Sequence, residues 1–193
     1  MRTLTYYVGV SLDGFIAAPD GSYDFYPLGD DLVAHMAAEY PDLLPTPFRA
    51  AAGVDTPVTR FDTVVMGRAT YDPALKEGVA DPYAHLRTYV VTRSLGESPA
   101  PNVTLIASDP LAAVRELKRQ EGLGIYLAGG ARLAGALLPE IDELVIKTYP
   151  IVLGSGIPMF SAEFGVESFR RTSGRAFGGG AMITTYVRER ESG

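Results

Sequence analysis

The sequence predicts an α/β fold: a mostly parallel sheet flanked by helices, with an antiparallel hairpin at its C-terminal edge. Three observations carry this. Short apolar runs such as Asp62–Met66 (DTVVM) suit strands buried on both faces. They alternate with helical spacing, as in Asp109–Glu121, where Leu111, Val114 and Leu117 share one face. Gly178-Gly179-Gly180 separates two final strand-like stretches and makes a natural hairpin turn. Strands that alternate with helices build parallel sheets, because a parallel pair needs a crossover.

In chain order, Thr3–Ser11 reads as the first strand. Pro19–Pro57 is irregular and rich in Pro, Gly and Asp, with a helix at Asp30–Tyr40 and a second turn of helix around Phe48–Ala52. Loop-rich stretches of that length inside a domain often carry function. Asp62–Met66 is a strand, Gly67–Leu75 a short helix, and Arg87–Thr92 and Val103–Ala107 are strands. Asp109–Glu121 is a helix, Ile125–Ala128 a strand, Ala131–Leu138 a helix closed by Pro139, and Asp142–Pro150 a strand. Glu167–Ala176 and Ala181–Glu189 form the hairpin. No repeat or long linker divides the 193 residues, so a single domain is expected, with the irregular segment at about 19–57 as its one excursion.

Composition narrows the chemistry. With no cysteine, disulfides, thiolate metal sites and thiol nucleophiles are excluded. Only His35 and His85 are present, so a multi-histidine metal centre is excluded and no metal site is expected. No G-x-S-x-G motif supports a serine hydrolase. The formal charge of −6 disfavours nucleic acid, whose binding rests on cations set against phosphate. No stretch approaches the roughly 20 apolar residues of a membrane span, and the first residues lack a signal-peptide core. A cytoplasmic protein that binds neither membrane nor nucleic acid is expected.

Three strand ends run into polar or glycine-rich loops, and in open α/β sheets the ligand crevice lies at strand carboxyl ends. In Met66-Gly67-Arg68-Ala69-Thr70-Tyr71, Gly67 permits close approach of the backbone and Arg68 stands at a helix start, where free amides favour an anion. A plain strand–turn–helix with a surface arginine fits these residues equally. Thr92-Arg93-Ser94 gathers two hydroxyls and a guanidinium, suited to a terminal phosphate such as the one that distinguishes NADP from NAD. A solvated strand end also fits. Ala128-Gly129-Gly130-Ala131-Arg132-Leu133 puts two glycines between a buried strand and a helix, more than a tight turn needs, although its spacing is neither G-x-G-x-x-G nor a Walker loop.

These motifs, in this order, resemble the dihydrofolate reductase superfamily, and in particular its riboflavin-biosynthesis reductase branch, the C-terminal half of bifunctional deaminase-reductases. Ser11-Leu12-Asp13-Gly14-Phe15-Ile16-Ala17 and Pro150-Ile151-Val152-Leu153-Gly154-Ser155-Gly156-Ile157-Pro158-Met159-Phe160 are similar to two further segments of that branch. The resemblance implies an eight-stranded mixed sheet in a three-layer fold, and a homodimer. It also implies NADPH-dependent reduction of a small heterocyclic substrate, such as an aminopyrimidine ribose phosphate of riboflavin synthesis. Gly67, Arg68 and Thr70 would meet the cofactor, and Thr92, Arg93 and Ser94 would hold its adenosine phosphate. Gly129, Gly130, Ala131 and Leu133 would pass the pyrophosphate, with a cis peptide between the glycines. Asp13 would stand near the substrate, binding an amine or helping to supply a proton; a turn aspartate is the alternative. The chain has no Trp, common in the mobile loop of dihydrofolate reductases, and no clear pterin-binding carboxylate. Lacking Cys, it also lacks the zinc deaminase signature, as a stand-alone reductase would. The competing class is a non-catalytic nucleotide-binding or interaction protein on the same fold.

Overall fold

A computed structural model describes residues 1–189. Its main sheet has eight strands. Six are parallel: β1 (Leu4–Val10), β3 (Phe61–Gly67), β4 (Arg87–Val91), β5 (Val103–Ile106), β6 (Gly124–Gly129) and β7 (Glu143–Thr148). The antiparallel pair β9 (Phe169–Ala176) and β10 (Met182–Arg188) closes one side, giving the order β5-β4-β3-β6-β1-β7-β10-β9. The hairpin turns at Gly180, whose φ of 83° suits glycine, and Phe177 and Ala181 close it by a backbone bond of 2.9 Å.

The central strands are apolar because both faces are covered. One face carries Tyr7, Val64, Met66, Tyr126 and Val145, packed under Leu32 of α1 (Asp30–Glu39) and Tyr71 of α3 (Arg68–Lys76). The other carries Leu4, Tyr6, Val65, Ile125 and Leu127 against Val114 and Leu117 of α4 (Pro110–Arg119) and Leu133, Ala134 and Leu137 of α5 (Ala131–Leu137). Three layers result, as the sequence predicts. The Asp109 side chain starts α4 by accepting the Ala112 N–H at 2.9 Å.

Two features depart from the expectations. Phe15–Ala17 (β2) pairs with Ile157–Pro158 (β8) in a small antiparallel ribbon that the sequence did not reveal. The irregular segment is also anchored more firmly than its composition suggests. It contains α2 (Thr46–Ala51) and a 3₁₀ turn at Pro41–Leu43. Asp42 is buried. Its Oδ2 accepts the N–H groups of Thr59, Arg60 and Phe61 at 3.0, 2.8 and 3.1 Å, tying the turn to the start of β3. Arg49 is buried as well and donates to the carbonyls of Pro41 and Thr56 at 2.6 Å each. Among the described residues, no helix is long and apolar enough to cross a membrane.

Candidate functional site

Strands β3 and β6 are neighbours, and Met66 pairs with Gly129 at their carboxyl ends. From there α3 leaves over one face of the sheet and α5 over the other. In open α/β sheets the ligand crevice lies where consecutive connections diverge in this way. The three candidate loops leave β3, β4 and β6 at this end of the sheet.

Gly67 stands beside the double glycine: a Cβ there would lie 3.7 Å from the Gly129 carbonyl oxygen and 3.8 Å from the Gly130 nitrogen. The Gly129-Gly130 peptide is cis, and Gly129 adopts φ 108°. Thr70, exposed on the first turn of α3, sends its Oγ1 to within 3.6 Å of where a Gly130 Cβ would stand. A side chain at Gly130 would fill the space between this hydroxyl and the paired glycines, so the cradle depends on bare backbone.

Arg68 pairs with Asp72 through Nε and donates from Nη1 to Ser94 Oγ at 3.2 Å, joining the first loop to the second. The Thr92 side chain is buried and accepts the N–H groups of Ser94 and Leu95 at 3.2 and 3.3 Å, so it shapes this turn rather than facing solvent. Arg93 is exposed and, among the described residues, makes no hydrogen bond or ion pair. Ala131 and Leu133 are buried. Leu133 packs into the core, and the Ala131 carbonyl accepts the Ser161 N–H at 3.0 Å. The fold therefore brings together Gly67, Arg68, Thr70, Ser94, Gly129 and Gly130, leaves Arg93 free at their edge, and turns the side chains of Thr92 and Leu133 inward.

Asp13 belongs to the loop after β1. Its Oδ1 accepts from Ser11 Oγ at 2.6 Å and Leu153 N at 3.1 Å, and its Oδ2 accepts from Gly154 N at 2.7 Å. The serine bond first, with the two backbone bonds behind it, holds the carboxyl below the usual carboxylate range. Leu12 N–H to Ile151 O (2.8 Å) and Met159 N–H to Gly14 O (2.9 Å) complete the seam. Two segments about 140 residues apart in sequence thus form one wall, with an exposed, ionised carboxylate in it.

Two cations escaped the sequence reading. Arg132, exposed on the first turn of α5, was legible in principle because it directly follows the glycine pair. Lys147 on β7 gave no signal: within Leu144-Val145-Ile146-Lys147-Thr148 it reads as the outward residue of an alternating strand. It is half-buried, its Nζ lies 4.3 Å from the centre of the Tyr7 ring, and burial lowers its pKa to about 8.

The eight-stranded mixed sheet between two helical layers, with its small antiparallel ribbon, is a dihydrofolate reductase-like fold. At 16% identity and a TM-score of 0.65, a dihydrofolate reductase from Enterococcus faecalis solved with NADP(H) shares the fold over 97% of both chains. Within that class, the chain belongs to the RibD C-terminal domain family, whose model matches residues 2–183. It is 35% identical over 189 residues to the uncharacterised protein YwjB of Bacillus subtilis (strain 168), across 97% of this chain and 98% of YwjB. A Shewanella sp. PV-4 protein described as belonging to riboflavin biosynthesis is similar in structure, with a TM-score of 0.70 and 26% identity over 98% of this chain and all of that one.

Proposed function

We propose that the protein is an NADPH-dependent reductase of a small heterocyclic substrate. The observation that carries this reading is the bond that joins Arg68 to Ser94, next to the exposed Arg93, on loops that follow the same strand ends as the bare Gly129-Gly130 backbone. In a chain of net charge −6, these are the local cations an anionic dinucleotide requires. When bound, the nicotinamide supplies the hydride. The protein's part is positional. Gly67, Thr70 and the glycine pair let the pyrophosphate approach the main chain, and Arg68 and Arg93 neutralise phosphate. Asp13, ionised and fixed by three donors, holds the 153–154 loop in place and offers an acceptor to a substrate amine. A second copy of the chain fits the same reading, because Phe164 and Val166, 98% and 83% exposed, precede the open edge of β9.

The direct test is binding. NADPH at one hundred times its Kd is expected to stabilise the fold by about 2.7 kcal/mol and to enhance nicotinamide fluorescence. If neither NADPH nor NADH moves the unfolding midpoint, the reading fails. Arg93→Ala is expected to cut the preference for NADPH over NADH by about ten- to a hundredfold, since a charge-assisted bond to phosphate contributes roughly 1.5–3 kcal/mol. An unchanged ratio of the two dissociation constants would remove Arg93 from phosphate recognition.

A further inference from the structure

Of three lysines in the chain, Lys76 is exposed at the end of α3. Lys118 is buried but bonded to the Glu140 carbonyl at 2.8 Å, the Glu140 carboxylate at 3.3 Å and Asp142 at 2.7 Å. Lys147 alone is half-buried and partly desolvated with, among the described residues, no carboxylate or carbonyl to offset that loss. Desolvating a charge without a hydrogen-bonding partner is costly, and groups perturbed in this way cluster at functional sites. Nor is Lys147 sealed in: the buried atoms left without a hydrogen bond among the described residues are Arg2 Nη1 and Asp42 Oδ1, so Lys147 Nζ still reaches solvent.

Its surroundings are flat and aromatic. Gly9 faces Lys147 across the β1–β7 pairing, and a Cβ there would come within 3.7 Å of Lys147 Cε and 2.9 Å of the Tyr149 ring. The missing side chain lets the lysine stem and the Tyr149 edge close over β1. Tyr7 lies under the ammonium, and Tyr26 packs on Tyr149 with ring centres 4.7 Å apart. The Tyr26 hydroxyl donates to the Phe15 carbonyl at 2.5 Å, just past the Asp13 loop. The cation thus sits near the carboxyl ends of β1 and β7. Four strand spacings separate β7 from β4, or about 19 Å at roughly 4.8 Å each. Lys147 therefore lies across the carboxyl-end face of the sheet from the loop that carries Arg93.

We propose that Lys147 is a substrate-recognition residue, and that the substrate is a planar heterocycle bearing an anionic oxygen. The ring lies against the tyrosine-lined floor, and the oxygen gives the ammonium the partner it lacks. This rests on the reductase reading, which places the cofactor phosphates at the other end.

Trinitrobenzenesulfonate is the probe, a flat anionic ring that forms a bond from lysine Nζ to a ring carbon as sulfite leaves and a proton passes to water. With a pKa near 8, Lys147 holds far more free amine near neutral pH than an ordinary lysine. Peptide mapping is expected to show it reacting about tenfold faster than Lys76. Orotate, an anionic pyrimidine, is expected to protect it at concentrations where the neutral pyrimidine uracil does not. Labelling no faster than Lys76, equal protection by both rings, or protection by neither would overturn the assignment. Lys147→Met is expected to raise the unfolding midpoint while leaving NADPH affinity within twofold; a lowered midpoint would make the lysine structural and would also overturn it. If the wild-type protein fails to bind NADPH, the reductase reading falls, while the labelling still reports what Lys147 admits.

Discussion

Asp42→Ala is expected to cost about 3–5 kcal/mol and to lower the unfolding midpoint by roughly 10 °C. The carboxylate is 1% exposed, and one of its oxygens serves three consecutive backbone N–H groups. Alanine offers them no acceptor. It also strands Arg49, whose Nη1 lies 3.9 Å from the other oxygen and whose side chain is buried. Two effects work the other way. Removing a buried carboxylate relieves its own desolvation, and water entering the vacated space can satisfy some of the donors. The loss prevails because three donors and a guanidinium depend on one group, and each orphaned donor costs roughly 1–3 kcal/mol. Asp42→Asn keeps one oxygen acceptor and is expected to lose less than half as much. Thermal unfolding of the two variants beside wild type decides it; a midpoint within 3 °C for Asp42→Ala would mean that water replaces the carboxylate.

The same residue shows where a sequence stops being legible. Every strand of the main sheet and every α-helix was readable, because each is a local pattern: an apolar run, a 3.6-residue spacing, a glycine or proline stop. The strand–helix junctions were readable for the same reason, since Gly67-Arg68 and Gly129-Gly130 lie where strand gives way to helix. What escaped depends on pairing between distant segments. The β2–β8 ribbon joins residues 15–17 to 157–158, and neither piece is long enough to announce itself. The burial of Asp42 and Arg49 leaves no local trace, because nothing in the neighbouring sequence tells which backbone will fold over them. Lys118 and Lys147 look alike in sequence, yet among the described residues the first has three oxygen contacts and the second none. Burial of a charge is a tertiary fact, and so is the lack of a partner.

Gly135→Ala tests how the site is held, and the sign of its effect runs against the usual rule. In a helix interior, alanine is favoured over glycine by about 1 kcal/mol. Gly135 sits within α5, so propensity alone expects stabilisation. Here, however, a Cβ would stand 1.9 Å from the Ser161 carbonyl oxygen and 2.6 Å from its carbon. Both are backbone atoms, which cannot swing aside as a side chain would. Relief requires the 157–162 segment to move by more than an ångström. That segment is fixed to α5 by the Ser161–Ala131 bond of 3.0 Å. It is fixed to β1 by the Tyr6 hydroxyl on the Met159 carbonyl at 3.1 Å and by the edge-on Tyr6–Phe160 contact, ring centres 5.4 Å apart. Overpacking costs roughly 1–3 kcal/mol and each broken bond about 1 more, so the expected net loss is about 2–4 kcal/mol. Gly96→Ala, with no atom within 4 Å of its Cβ, is the control and is expected to stay within about 0.5 kcal/mol of wild type. The damage extends to function, because Ala131 opens the first turn after the glycine pair and the Tyr6 hydroxyl lies 3.8 Å from where a Gly129 Cβ would stand. NADPH affinity is therefore expected to fall with stability in Gly135→Ala and to hold in Gly96→Ala. If Gly135→Ala loses stability yet binds NADPH as wild type does, the 157–162 segment does not hold the cofactor crevice in shape.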